Sequence, residues 1–436
     1  MTAGTLVSWL LEQEARALLT RIEDIRPFAI HETMVPAANL SPAAQLGIER
    51  TIADGRTVLR RRVLGYLSWL RGPGRAASPA DQQRRFVVLR LQFNNVLSQF
   101  DLFTEVVTQR SEHGTGVWLS GLDALAADAL RLPGDYFEPP PVACYLARGP
   151  GAAIRRARTR LPGGASNPIA IIRVPRERMV GHGIASSLVH EVGHQVAALL
   201  SLVPSLRSRL QAEQRDRRPE DRAPWACFER WISEIAADLW SVGLLGIGST
   251  LGLMGVVSLP TLFVFRPSGD DPHPVPWLRV LISCGIGDAL YPHPQWTALA
   301  RTWTSMYPSH RLTPDYARTL ERLEAAVPDF VQVLTEHRPP ALRGRSLRDV
   351  MPIRDRRPER LLELFTHWRQ NPAAMAQAPP SLVFATVGQA RAAGRVTPEW
   401  ESRVLGELLT AWAVRSSVDI TELCATRTTP AAVPAA

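Results

Sequence analysis

The chain has 436 residues, 45% of them hydrophobic and 21% charged, which excludes wholesale disorder and exceeds what one ordinary core holds. Its formal charge is +9, yet no lysine occurs, and the arginines fall in scattered clusters such as Arg60 to Arg62, Arg155 to Arg160 and Arg354 to Arg360. Several of these sit beside acidic residues, so they read as a solvated surface and not as a nucleic-acid groove.

The first third reads as helical. Leu11, Ala15, Leu18, Ile22 and Ile25 recur at helical spacing and stop at Pro27. Met1 to Leu19 has no basic start and carries Glu12 and Glu14, which speaks against a secretory leader. A second helix opens at Ser41-Pro42, a cap followed by proline at the first helical position, and continues to Leu70. Gly72 to Pro79 breaks the pattern, Phe86 to Phe103 restores it, and a further helical stretch ends near Leu132-Pro133-Gly134.

The texture then changes. Val142 to Leu146 and Ile169 to Val174 are short apolar runs bounded by Pro- and Gly-rich segments, and they predict two strands. Past Pro308 the chain is again helical, with breaks at Pro339-Pro340 and Pro379-Pro380, and Thr428 to Ala436 reads as a frayed tail. The fold class predicted is mainly α with a small β-sheet. Helical regions at 1–134 and 301–436 flank a core at 135–300.

Leu239 to Phe265 carries no charge and is long enough to cross a bilayer. Five glycines and Pro260 interrupt it, and it follows a helix bearing acidic residues, so the buried reading is preferred over a membrane anchor. Cys144, Cys227, Cys284 and Cys424 lie far apart with no CxxC pair, which predicts a reducing, cytoplasmic setting.

The chemistry concentrates between these features. His190-Glu191-Val192-Gly193-His194 is an HExxH sequence, and residues four apart project from one helix face, so both imidazoles can meet one tetrahedral zinc ion. Glu191 lies beside them, where it can reach a metal-bound water. On a second apolar segment Glu234 and Asp238 are also four apart; carboxylates there are costly unless paired or metal-bound. Glu234 would complete a His-His-Glu ligand set, and Asp238 would accept the free imidazole N–H of a ligand histidine, His190 for preference. A di-iron carboxylate site would need a second ExxH, and Glu363 and His367 are four apart instead.

With HExxH at His190, Glu191 and His194 followed by ExxxD at Glu234 and Asp238, the chain resembles the gluzincin metallopeptidases. Asp270-Asp271-Pro272-His273-Pro274 with Arg279 resembles the HP and Arg element of the CAAX prenyl protease and heat-shock protein X group. The resemblance covers roughly Asn167 to Leu281. It implies a zincin-like catalytic core, Zn2+ as cofactor, a peptide or protein substrate and Glu191 as general base. It also implies His273 as donor to the oxyanion and Arg279 as an orienting residue. The strand at Asn167 to Val174 would be either the edge that holds an extended substrate or an ordinary core strand. A non-catalytic protein with a structural zinc site, using its helices for interaction, and a membrane-associated protease anchored by Leu239 to Phe265 are the competing readings.

Overall fold

The computed structural model describes residues 3–25, 28–149, 151–162, 164–176, 181–267 and 269–428. Pro27 and the tail after Thr428 lie outside them. The chain is mainly helical, with one small mixed sheet.

Three long helices come first: α1 (Ala3–Asp24), α2 (Pro42–Arg71) and α3 (Pro79–Thr108). Ser41 and Ser78 cap the second and third, their hydroxyls accepting from the Ala44 and Asp81 amides, and each cap precedes a proline whose missing N–H costs nothing there. Proline starts many later helices too, so its abundance serves as punctuation. Leu18, Ile48, Phe93 and Phe103 join the three helices into a first apolar core.

Helix α4 (His113–Ala129) then leads to the strands β1 (Val142–Ala147), β2 (Ala153–Arg155) and β3 (Ala170–Pro175). Their order is β1-β3-β2, with β1 parallel and β2 antiparallel to β3. Of the two readings of Asn167 to Val174, edge or ordinary core strand, the pairing of β3 on both sides selects the core strand, and the edge beside α5 (His182–Leu199) is β2. The sheet divides two cores. Ala143 and Ile171 face the first, while Cys144, Ile172 and Val174 face a second, larger one.

That second core is built on α5, α6 (Leu202–Asp216), α7 (Arg222–Leu245), α8 (Ile247–Val257), α9 (Thr261–Val264) and α10 (Pro276–Leu290). The uncharged run Leu239 to Phe265 is broken at Gly246, whose φ of +57° ends α7, and much of it is buried among these helices. No helix of the described residues is long and apolar enough to cross a membrane.

The chain continues through α11 (Pro294–Met306), α12 (Pro314–Ala325), α13 (Val327–Glu336), α14 (Leu347–Val350), α15 (Pro358–Gln370), α16 (Pro372–Gln377), α17 (Pro380–Ala392) and α18 (Pro398–Thr428). These wrap the same second core and have no large core of their own. Helix α4 belongs to it as well, because Gly121 lets it approach the α18 backbone at Leu409.

One contact decides where the chemistry sits. Gly193, inside the HExxH sequence, is where α7 crosses α5. A Cβ there would lie 2.8 Å from Ala237 Cα and 3.0 Å from Trp240 Cβ. Gly193→Val should therefore cost about 1–3 kcal/mol by overpacking and push Glu234 away from the histidines. Thermal unfolding together with zinc titration checks this, and an unchanged melting temperature would contradict the contact.

Candidate metal centre

Helix α5 carries His190, Glu191 and His194; α7 carries Glu234 and Asp238. The crossing at Gly193 brings the two sets together. His190 Nε2 lies 3.3 Å from Glu234 Oε2, and His194 Nε2 lies 3.4 Å from Glu234 Oε1. The three ligand atoms all lie within 4.8 Å of one another. Zinc takes imidazole nitrogen and carboxylate oxygen as donors at about 2.0–2.2 Å, so the donor set suits such an ion, with one Glu234 oxygen turned towards each histidine.

The outward nitrogen of His190 is also committed. Its Nδ1 lies 2.8 Å from Asp238 Oδ1, which leaves Nε2 as the nitrogen facing the cluster. Arg279, on α10, holds Asp238 in turn with a two-pronged grip, Nε to Oδ2 at 2.7 Å and Nη2 to Oδ1 at 2.9 Å. Its Nη2 is also 3.6 Å from Glu234 Oε2. His273 stands on the loop before α10, half exposed, with Nε2 3.2 Å from Glu234 Oε2 and Nδ1 2.6 Å from Asp271 Oδ1. Asp271 is itself paired with Arg266 at 2.9 Å, which ties that loop down.

The electrostatics follow from this crowding. Burial works against charge on His190, but Asp238 and Glu234 outweigh it and push its pKa up to about 9. Burial likewise opposes ionisation of Glu234, yet contacts with His190, His194 and His273 hold it far below the usual carboxylate range. Asp238 is held at about 2: burial again opposes its charge, and Arg279 and His190 prevail. The hydrogen bond to Glu234 raises the His273 pKa. Two buried carboxylates thus stay ionised at neutral pH because cations surround them, and a divalent ion would offset the same charge.

Glu191 opens into the same cleft, of about 350 Å³, as the two histidines, Glu234 and His273. The far wall is β2, through Ala153 and Ile154, with Ala152 before it and Arg156 just after it. Sequence reasoning missed β2, and it quoted Asp271 as part of the HP element without giving it a role. A three-residue strand with exposed, half-buried and exposed positions leaves no apolar run to find, whereas Asp271, two residues before His273, was visible as an Asp-Pro-His turn.

Other residues lie elsewhere. Tyr291 is buried and donates to the Gly243 carbonyl at 2.6 Å, and His293 caps α11 by accepting from the Gln295 amide. His182 begins α5, where its N–H and its Nδ1 meet Glu401 Oε1 of α18 at 2.9 and 2.8 Å. Glu401 is buried and lies against Gly181, whose φ is +61° and where a Cβ would be 3.0 Å from the carboxylate. The basic stretch Arg207 to Arg222 forms most of α6 and packs along α7, with Arg217 3.9 Å over the Trp225 ring. Glu363 and His367 are exposed on α15.

Comparison of the chain with protein-family models, with curated proteins and with solved structures gives no match.

Proposed function

We propose that the chain is a zinc-dependent peptidase with a zincin-like catalytic core, in which His190, His194 and Glu234 hold the metal. The observation that carries this is the convergence of those three ligand atoms in a cleft that also contains Glu191 and is bounded by an edge strand. Zinc held there would lower the pKa of its water towards about 7 and polarise a carbonyl. A structural site normally closes with four protein ligands; three ligands in an open cleft favour catalysis.

The remaining roles belong to the chain itself. Glu191 takes the proton of the attacking water and passes it to the leaving amine. His273, half exposed beside Glu234, donates to the oxygen that gains charge as the carbonyl becomes tetrahedral. Asp238 fixes the His190 tautomer, and Arg279 fixes Asp238. The edge of β2, unpaired among the described residues, pairs with an extended peptide, so the substrate is a peptide or an unfolded protein segment. Free thiols at Cys144, Cys227 and Cys284 fit action in a reducing cytoplasm.

Incubation with an unfolded protein tests the reading. Cleavage should disappear on treatment with a zinc chelator and return on adding back one equivalent of zinc. Cleavage that persists in the chelated protein, or no cleavage by zinc-loaded protein, would defeat it.

A further inference from the structure

We infer that Arg156 selects substrates by a carboxylate, supplied either by an acidic side chain near the scissile bond or by the free C-terminus of the peptide. This rests on the peptidase reading and deepens it. The other charged groups around the metal centre are largely spoken for. Glu234 is shared by His190, His194 and His273; Asp238 is gripped by Arg279; Glu191 stands at the position of the base. Arg156 lines the same cleft, is exposed, and makes no hydrogen bond, ion pair or ring contact through its side chain among the described residues.

Its position is nonetheless fixed. The Arg156 carbonyl accepts from Asn167 Nδ2 at 2.9 Å and from the Thr159 hydroxyl at 2.7 Å. The next amide, Ala157 N–H, donates at 2.8 Å to Gln195 Oε1, and Gln195 directly follows His194. The backbone bearing Arg156 is therefore pinned to the metal helix, while the guanidinium is left free. Ile154 pairs with Ile172, which faces the core around α5, and Arg156, just past the end of β2, lines the metal cleft together with Ile154. Arg155, paired with Ile171, points the other way. A peptide laid along β2 would thus bring alternate side chains, or its terminus, past an unpaired planar cation suited to a carboxylate.

The test uses labelled hexapeptides of alanine and threonine in which one Asp, Leu or Arg is scanned through each position, each made as the free acid and as the amide. Cleavage is measured with zinc-loaded protein, and binding by anisotropy with zinc-loaded Glu191→Gln protein. Carboxylate-bearing peptides should be favoured by about fivefold, as for a partly screened ion pair. Arg156→Gln should bring that ratio close to one, and Arg156→Glu should turn it towards Arg peptides. A preference confined to free acids assigns the terminus; one that follows Asp in the amides assigns the side chain. A ratio unchanged by Arg156→Gln, or a wild-type preference for Arg peptides, overturns the inference. If the anisotropy preference needs Arg156 but no peptide is cleaved, the inference stands and the peptidase reading falls.

Discussion

Glu191→Gln is expected to reduce peptide hydrolysis by about a thousandfold or more while leaving zinc stoichiometry and melting temperature close to wild type. The amide keeps the size of the carboxylate but cannot accept the water proton. Glu191 is not among the three residues whose ligand atoms converge, and among the described residues it makes no hydrogen bond or ion pair that would be lost, only a longer-range attraction to Arg279. Steady-state cleavage of an unfolded protein, read beside metal analysis of the same preparation, checks this. Retained turnover would remove Glu191 from the chemistry. Loss of turnover together with loss of zinc would make it a structural residue instead.

Glu234→Ala should have the larger effect on the metal. Apparent zinc-binding energies of about 10–16 kcal/mol in four-ligand sites amount to roughly 3 kcal/mol per ligand, so zinc affinity should fall by at least about a hundredfold. The substitution also strips the common partner from His190, His194 and His273. In the metal-free wild-type protein the depressed Glu234 pKa is stabilising above the ordinary carboxylate range, and that contribution is lost as pH falls through the acid range. The variant should therefore lose part of its acid-dependent stability as well as its metal. Competition against a fluorescent zinc chelator measures the first effect, and thermal unfolding across pH the second. Wild-type affinity in the variant would end the three-ligand assignment.

The metal helices were legible because their chemistry follows the helical period: His190 with His194, and Glu234 with Asp238, each share a face at a spacing of four. The meeting of the two faces was not legible, since it depends on Gly193 accommodating Ala237 and Trp240, a fit between surfaces distant in sequence. The apolar runs of β1 and β3 announced themselves. Strand β2 did not, because its position is set by pairing with β3 and by the Asn167 and Gln195 bonds around it. Without β2 the sequence could not decide whether Asn167 to Val174 was the edge of the sheet or a core strand. Helix α4 showed the same limit: its periodicity marked a helix but could not reveal that it packs against α18 and not with α1 to α3.

The bond from Glu401 to the first turn of α5 spans 219 residues. During synthesis the helix bearing the HExxH sequence leaves the ribosome long before the residue that secures its start, and loop closure over such a distance is slow. A nascent chain therefore carries that sequence without the support of α18, and the start of α5 gains its Glu401 partner only after translation has passed that residue.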